Sequence, residues 1–426
     1  MSDLFKEFDS VDDRQWKNLV QAELKGADFA ENLVENVAEG FQIKPIYTKK
    51  DVKSNQFVVD TNRWKILTHF RPGVDIDYSF ADGVILQNNQ IDSFQPAENE
   101  LIITKFEQEF PVAALNKNAW FDWDFLSDFA FYGNFVDDES KLVPTLKELK
   151  NSYQNTLSID ISSYQNAGAN HAEQLAMMLL EAHEYVILTG SADILKSTLV
   201  CTSVGSDFFF EIAKLRAIRI LWANLANSLE VDSKITILAK SSMRNKSLMD
   251  RHNNIIRTTY EAASAIFGNA DWVQVHTYDE LFVEKKDSAH DLSFKQQLVL
   301  REESYLDFYA DPLKSSYYVE FLTEQLAEKA WELFKKFESD GGFTAGLYSG
   351  KIQEMIAFSH EKEQEKFDAA QISLIGVNKF PQSADDFVQF QAKARKLNKS
   401  QVKIQTLITR RLSEGVEESY VQNQSK

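Results

Sequence analysis

The stretch from residue 198 to residue 279 constrains the fold of this 426-residue chain more than any other part of the sequence. In it, three short apolar runs rich in β-branched residues alternate with two longer runs whose apolar residues recur at helical spacing. The pattern predicts strands at 199–205, 235–239 and 272–277, and helices at 208–223 and 254–267. Strands that are separated by single helices pair in parallel through right-handed crossovers, so this stretch predicts an α/β fold.

The first of these helices carries a specific expectation about burial. Its apolar side chains at helical spacing are Ile212, Leu215, Ile218 and Trp222. The charged residues between them fall at other angles around the helix, so we expect them at more hydrated positions. These are Glu211, Lys214 and Arg219.

The net charge of −18 restricts the partners of the chain. Nucleic acid binding needs a positive surface that displaces counterions from phosphates, and anionic membrane surfaces need the same. The N-terminus lacks the basic start and apolar core of a signal peptide, and no run reaches the roughly 18 apolar residues of a membrane span. The sequence therefore predicts a cytoplasmic protein without a nucleic-acid or membrane partner.

Cysteine and motif content narrow the chemistry further. Cys201 is the only cysteine, which excludes an intrachain disulfide and a cysteine-cluster metal site. Because it lies in an apolar strand, we expect a buried and unreactive thiol. The sequence contains no phosphate-binding glycine loop and no zinc-protease motif. No metal site is predicted.

Residues 1–60 are predicted to form an arm rather than a domain. One amphipathic helix is expected at 11–26, ended by Gly26, and an extended segment at 40–48, where Pro45 excludes a central strand. The arm is too short to bury its own apolar side chains. These are Trp16, Leu19, Leu24, Ile43, Ile46 and Tyr47.

The remaining segments complete the prediction. Earlier strands are expected at 64–68, 83–86, 101–104 and 157–161, and the aromatic run 120–125 is expected to be a loop or a short strand. Further helices are expected at 171–184, 323–337 and 348–370. In the part from 384 to 426, seven basic residues between 393 and 411 indicate a solvated helix and tail or, alternatively, contact with an acidic partner. They are Lys393, Arg395, Lys396, Lys399, Lys403, Arg410 and Arg411.

Several ordered motifs resemble the barrel of methylmalonyl-CoA mutases. The similar segments are 209–222, 244–248 and 254–259, and 311–323 is similar to the family motif DPxxGSYYVExLT. Shorter matches occur at Trp16, at 45–51, at 330–331, at 341–342 and at 375–378. The likeness is patchy before Leu157 and nearly continuous from there to Asn378. It implies a TIM barrel with an N-terminal arm (1–60), a barrel (61–330) and a C-terminal helical extension (331–426).

Comparison with the catalytic members of this family implies that the present chain lacks the segments that bind cofactor and substrate in them. Catalytic members bind adenosylcobalamin through an Asp-x-His-x-x-Gly motif, and none of the seven histidines here has that context. No segment between 64 and 157 resembles the adenosyl-facing tyrosine or the acyl-CoA-binding segment. We therefore expect no cobalamin-binding domain and no cofactor bound by this chain.

Five positions are expected at a degenerate barrel mouth. Gln165 is nearest the family's catalytic histidine, and glutamine cannot act as an acid. The run 240–248 resembles the family's non-catalytic small subunits, and Ser315 replaces the glycine of the DPxxGSYY motif. His276 lies at a strand end, where barrel enzymes place functional residues. The five positions are Gln165, Ser241, Ser242, Arg244 and His276.

Three hypotheses follow. The first is a non-catalytic small subunit of a heterodimeric methylmalonyl-CoA mutase, whose catalytic large subunit carries adenosylcobalamin. In the family the arm wraps the partner subunit, so the six apolar arm residues are candidate interface residues, although an arm packed on its own barrel is the alternative. The second hypothesis is a self-sufficient barrel enzyme that acts on another substrate without cobalamin. The third is a protein that protects the mutase by transient binding.

Overall fold

A computed structural model describes residues 12–53, 64–74, 77–86, 90, 101–105, 119–136, 138–283, 286–381 and 402–424. Its centre is a parallel eight-stranded sheet in which the strands follow one another in chain order. The strands are β1 (Lys65–His69), β2 (Gly83–Leu86), β3 (Leu101–Lys105), β4 (Trp120–Asp122), β5 (Leu157–Asp160), β6 (Ser197–Val204), β7 (Lys234–Ser241) and β8 (Trp272–Gln274).

The sheet closes on itself. Strand β8 pairs with both β7 and β1, and a parallel bridge from Trp120 to Asn155 joins β4 to the residues before β5. A closed parallel sheet of eight strands with helices outside it is the TIM barrel. The predicted fold class, an α/β barrel with an N-terminal arm and C-terminal helices, is confirmed.

Helices surround this sheet. The arm carries α1 (Asp13–Glu23) and α2 (Phe29–Leu33), followed by two-residue strands at Glu35–Asn36 and Gln42–Ile43 and a 3-10 turn at Lys49–Asp51. The barrel helices are α3 (Phe125–Tyr132), α4 (Glu139–Ser152), α5 (Ser162–Ala167), α6 (His171–Thr189), α7 (Phe208–Ser228), α8 (Asn253–Phe267) and α9 (Asp287–Leu298). The C-terminal helices are α10 (Tyr317–Ser339), α11 (Gly342–Tyr348), α12 (Lys351–Asp368) and α13 (Glu414–Gln424).

Local sequence signals explain where the two central helices begin. The Asn170 side chain accepts a hydrogen bond from the Glu173 amide, and the Glu173 side chain accepts one from the Asn170 amide. This reciprocal pair is a capping box. The Asp207 side chain accepts a hydrogen bond from the Phe210 amide at the start of α7. Helix α7 therefore begins shortly after β6, whereas α5 lies between β5 and the start of α6.

The expectation that Glu211 and Lys214 lie at hydrated positions is wrong. Helix α10 packs against both α6 and α7 as a second layer, so α7 is enclosed on nearly all sides. The side chains of Glu211 and Lys214 are 1% and 0% exposed and form an ion pair of 2.6 Å. Of the three charged residues that were expected at hydrated positions, only Arg219 is partly exposed, and it pairs with Asp271 at 2.9 Å. Burial of this charged pair is tolerated because each member neutralises the other.

Several boundaries differ from the prediction. The run 120–125 forms strand β4 and then the first residue of α3, for which Asp124 is the N-cap. The predicted helix 348–370 corresponds to α12, which begins after Gly350, whose φ is +80°, while Tyr348 is the last residue of the separate helix α11. The predicted helix 323–337 begins earlier, at Tyr317. The division at residue 330 stays a prediction, and that residue lies inside α10.

The described part of the C-terminal segment is packed through its apolar side chains, while its basic residues Lys403 and Arg410 are exposed as the solvated-tail hypothesis expects. Ile404, Leu407 and Leu412 are buried, and Arg411 forms an ion pair of 2.7 Å with the nearly buried Glu417. Lys393, Arg395, Lys396 and Lys399 lie outside the described residues.

Candidate functional site

Three strands place charged side chains together at the mouth of the barrel. Asp122 ends β4, Asp160 ends β5, and Lys240 is the penultimate residue of β7. The Lys240 ammonium nitrogen lies 3.3 Å from Asp160 Oδ2 and 3.8 Å from Asp122 Oδ2. In TIM barrels the carboxyl ends of the strands carry the functional residues. This cluster is therefore the first candidate for a site.

The electrostatics of the cluster favour its charged form. The Lys240 side chain is 13% exposed. Burial alone would lower the pKa of Lys240, but the carboxylates of Asp122 and Asp160 outweigh it and raise that pKa well above its ordinary value. A lysine held as a cation between two carboxylates is a poor proton acceptor, so the cluster resembles a structural cross-link more than a general base.

Below this cluster the barrel axis is filled by side chains. The rings of Trp120 and Trp272 meet edge to face with centroids 5.2 Å apart. Leu67, Leu199 and Leu238 pack with them, each at most 1% exposed. A packed interior is usual for a TIM barrel. These five residues therefore form a buried apolar layer below the charged cluster.

Cys201 lies between the apolar layer and the charged cluster. It is fully buried, and its sulfur lies 3.9 Å from Ser158 Oγ. Burial raises the pKa of the thiol well above its ordinary value. The prediction of a buried, unreactive cysteine is confirmed, because the reactive form is the thiolate.

Gln165 lies between helices. Its side-chain nitrogen donates a 2.7 Å hydrogen bond to Glu211 Oε1 on α7, and the Gly205 amide donates to the same oxygen at 2.8 Å. The Gln165 side-chain carbonyl is buried, with no hydrogen-bond partner among the described residues. The hydrogen bond from Gln165 to Glu211 therefore joins α5 to α7.

The other four sequence-predicted positions do not meet at one point. Ser241 Oγ accepts a 2.8 Å hydrogen bond from the His276 amide, which joins the ends of β7 and β8. Ser242 Oγ accepts one of 3.1 Å from the Arg244 amide. Both serines thus stabilise the local backbone, and His276 is half-buried beside them.

Arg244 reaches away from the barrel axis to the C-terminal extension. Its guanidinium donates to Glu363 at 2.6 Å and to the Arg410 carbonyl at 2.9 Å, and it lies 2.9 Å from His360 Nδ1. Helix α12 comes close enough that a Cβ on Gly168, whose φ is +105°, would lie 2.5 Å from His360 Cβ. Arg244 therefore fastens α12 and the last segment to the loop after β7.

A second polar network, missed by the sequence analysis, lies between the arm, α6 and α7. His171 Nδ1 lies 2.7 Å from Glu39 Oε1, and His171 Nε2 lies 3.5 Å from Glu211 Oε1. Although burial alone opposes it, the hydrogen bonds to Glu211 and Glu39 raise the pKa of His171 to about 10. Burial likewise opposes ionisation of Glu211, but Lys214 and His171 lower its pKa to about 2.

A third buried network contains two carboxyl groups, Asp124 and Glu181. Burial raises the pKa of both. Tyr185 donates a 2.7 Å hydrogen bond to Asp124, and Tyr164 donates one to Glu181. Glu181, Tyr164 and Tyr185 are inaccessible to solvent, so these groups stabilise the contact of α3 with α6 rather than meeting a substrate.

The sequence contains local signals for most of the residues that the sequence analysis did not identify. Asp122, Asp160 and Lys240 each lie at the end of an apolar strand, which is where the barrel fold exposes functional side chains. Helix α7 has apolar residues on every side, which indicates burial all round and therefore a paired Glu211 and Lys214. The involvement of Glu39 and His171 had no local signal, since they are 132 residues apart.

The described ranges hold neither a candidate metal cluster nor a helix that could span a membrane. Those ranges contain no group of three or more histidine, cysteine or acidic side chains arranged to hold a metal ion. None of the helices found there has the length and hydropathy that a membrane crossing demands.

Comparison with known proteins decides the family. The family described as methylmalonyl-CoA mutase matches residues 144–422, which is more than half of the chain. The chain belongs to the methylmalonyl-CoA mutase family. The match to this isomerase family starts shortly before β5, in agreement with the patchy likeness of the earlier part.

Individual relatives refine the comparison. A methylmalonyl-CoA mutase small subunit from Porphyromonas gingivalis is 27% identical over 438 residues, covering 89% of this chain and 71% of the relative. A methylmalonyl-CoA mutase from Cereibacter sphaeroides is 30% identical over 309 residues, covering 69% of this chain and 43% of the relative. The human mitochondrial methylmalonyl-CoA mutase is 24% identical, covering 88% of this chain and 61% of its own length. The chain thus spans less than two thirds of the two proteins that are named simply as mutases.

Proposed function

We propose that this chain is the non-catalytic small subunit of a heterodimeric, adenosylcobalamin-dependent methylmalonyl-CoA mutase in the cytoplasm. The catalytic large subunit would isomerise methylmalonyl-CoA and succinyl-CoA, while the present chain supports its structure. The observation that carries the proposal is the filled barrel: Trp120 and Trp272 cross the axis, and Lys240 bridges Asp122 and Asp160 above them. Among the described residues these side chains occupy the barrel interior, which disfavours a substrate on the barrel axis.

The state of Gln165 supports the same conclusion. The position nearest the family's catalytic histidine holds a side chain that cannot transfer a proton and that is hydrogen-bonded to Glu211. The Porphyromonas relative, which is named a small subunit, matches 89% of the chain.

The histidines do not fit a cobalt ligand. His171 is held between two carboxylates, His360 contacts Arg244, and His183 Nδ1 lies 2.8 Å from Glu338. His69 Nε2 lies 2.7 Å from the Gln274 side chain. Since none of the seven histidines has the family's cobalt-binding context, we place adenosylcobalamin on the partner subunit.

Co-expression with the large subunit of a methylmalonyl-CoA mutase tests the proposal. We expect a stable complex whose mutase activity depends on the large subunit, and no activity from this chain alone. Turnover by the isolated chain would reject the non-catalytic role and favour the self-sufficient enzyme. A complex that forms only transiently would favour the protecting protein.

A cobalamin titration gives a second, independent readout. We expect the absorption spectrum of adenosylcobalamin to stay unchanged on addition of the isolated chain. A saturable spectral change at micromolar cobalamin would show a binding site on this chain and contradict the proposal.

A further inference from the structure

One attachment of the arm to the barrel is a hairpin, here called the arm hairpin (residues 35–43). Its strands pair through Glu35 with Ile43 and Asn36 with Gln42, and Glu39 lies in the turn between them. Glu39 Oε1 lies 2.7 Å from His171 Nδ1 and also accepts a 3.4 Å hydrogen bond from the His171 amide. The Glu39 side chain is only 5% exposed, although it belongs to a surface arm.

His171 connects this turn to the buried centre of the helix layer. One ring nitrogen faces Glu39 and the other faces Glu211, so both contacts use the protonated imidazolium. Lys214 lies on the far side of Glu211 at 2.6 Å. Asp207 on α7 and Glu173 on α6 are the further titratable groups nearby. Acidic groups outnumber cations around His171, which stabilises its charged form.

An aromatic contact accompanies the charged one. Phe41, two residues after Glu39, is 8% exposed, and its ring centroid lies 6.1 Å from those of Phe210 and Phe321. The hairpin is therefore fixed to α7 and α10 as well as to α6.

The helices before the hairpin are different. Neither α1 nor α2 contains a buried residue, and Leu19 on α1 is 63% exposed. Trp16 and Phe29 pack against each other with ring centroids 6.0 Å apart, which joins the two helices into one unit. Since α2 ends at Leu33, this unit is connected to the barrel through the hairpin that follows it directly.

We propose that Glu39, His171 and Glu211 form a latch that fixes the arm hairpin to the barrel and thereby sets the position at which α1 and α2 meet the partner subunit. The latch itself needs no partner. Its effect on assembly rests on the proposed function, and the two are separated by the measurements below.

Hydrogen exchange of the full-length chain tests the latch. In Glu39→Gln the side chain keeps its size but loses its charge, leaving the imidazolium without its arm partner. We expect amides 37–43 to exchange at least about tenfold faster at pH 7, with β6 and β7 unchanged. Glu31→Gln, at an exposed position on α2, is the matched control and should exchange like the parent. Parent-like exchange of the hairpin in Glu39→Gln would overturn the latch.

The parent protein provides a second test that needs no variant. After correction for intrinsic exchange, protection of amides 37–43 should fall as the pH rises from 7 to 10, because His171 loses its proton. The corresponding protection of β6 should stay constant. Hairpin protection that does not change over this range would contradict the latch.

Capture of the large subunit by the immobilised chain tests the effect on assembly. Glu39→Gln should weaken capture at least about tenfold, whereas Glu148→Gln, at an exposed position on α4, should not. Unchanged capture by Glu39→Gln, together with faster hairpin exchange, would reject the positioning role and leave the latch. If the parent itself captures no large subunit, the proposed function has failed, and the exchange results still decide the latch.

Discussion

Lys240 and Asp160, on strands that are separated by β6, form an ion pair of 3.3 Å across the mouth of the barrel. Together with the 3.8 Å contact to Asp122, this pair joins β4, β5 and β7 above the apolar interior. In an enzyme, such a lysine could contact substrate. Here the ion-pair partners of Lys240 among the described residues are two carboxylates from its own chain.

Replacing this lysine should therefore affect stability rather than activity. Lys240→Met would leave two carboxylates without their cation and should lower the free energy of unfolding by about 2 kcal/mol, less than for a fully buried pair because Asp122 and Asp160 are partly exposed. Lys234→Met, at the exposed start of the same strand, should change it by less than about 0.5 kcal/mol. Urea unfolding measures both. Mutase activity of the reconstituted pair should match the parent, and a large loss in a folded variant would indicate a catalytic lysine.

Gln165→Ala tests whether the degenerate position does chemistry. The variant loses one hydrogen bond to Glu211, which keeps Lys214 and the Gly205 amide as partners, so we expect destabilisation of about 1 kcal/mol. Activity of the reconstituted complex should stay close to that of the parent in a steady-state assay. A loss of several hundredfold with assembly intact would move the chemistry to this barrel.

Ser315→Gly should stabilise the protein. Ser315 has a φ of +75°, in the left-handed region that costs a non-glycine residue about 1–2 kcal/mol. The family motif has glycine here, and the backbone conformation explains why. Part of the gain is offset by the greater freedom of glycine in the unfolded chain, so the net increase should be up to about 1 kcal/mol in urea unfolding. Ser316→Gly, at the neighbouring N-cap with ordinary φ, is the control and should not stabilise.

The pKa shifts of the arm network predict a dependence on pH. The pKa of His171 is raised from 6.5 to about 10, so its stabilising contribution is complete below pH 6.5 and is lost as the pH rises through about 10. The pKa of Glu211 is lowered from 4.5 to about 2, so its contribution is complete above pH 4.5 and is lost as the pH falls through about 2. Between pH 6.5 and 10 the free energy of unfolding should fall by roughly 1 kcal/mol per pH unit until the arm is released.

Unfolding of His171→Gln along the same pH series checks this expectation. The variant should show a flatter profile above pH 6.5, because the group that releases the proton is gone. His183→Gln removes a more exposed histidine of α6, whose ring lies 2.8 Å from Glu338, and should keep the parent profile. Equal slopes in all three proteins would show that His171 is not the responsible group.

Two truncations test which part of the arm contacts the partner. Deleting residues 1–33 removes α1 and α2 but keeps the arm hairpin, whereas deleting residues 1–50 removes the hairpin as well. The barrel should stay folded in both. Since each buried large apolar side chain contributes about 1.5–3 kcal/mol, loss of Trp16, Leu19 and Leu24 should reduce affinity for the large subunit by more than about tenfold after association costs.

Analytical ultracentrifugation with the large subunit measures the outcome. The candidate interface residues divide in the structure: Ile43 and Tyr47 pack on the chain's own barrel, and Leu19 and Ile46 are exposed. We therefore expect the shorter deletion to be nearly as damaging as the longer one. Full capture by the variant that lacks only residues 1–33 would place the interface on the arm hairpin or on the C-terminal helices.

The site was less predictable than the fold, and particular elements show why. Four elements, the strands β6 and β7 and the helices α7 and α8, lie within a few residues of their predicted positions. In each of them the spacing of the apolar residues matches the type of element. Strand β8 ends three residues early, at Gln274, and α10 starts six residues early, since neither boundary has a strong cap. Arg244 is predicted from the sequence as a position of the degenerate barrel mouth, whereas its contacts with Glu363 and Arg410 join segments more than a hundred residues apart.

The sequence by itself determined the alternation of strands and helices, the family and the absence of a histidine at position 165, because periodicity and motifs are local properties of the chain. Only the tertiary structure decided that Glu211 and Lys214 are buried as a pair, that Lys240 lies between two aspartates, and that Glu39 of the arm meets His171. The physical reason is that the free energy of a buried charge depends on partners brought by distant segments, and no local pattern encodes their position.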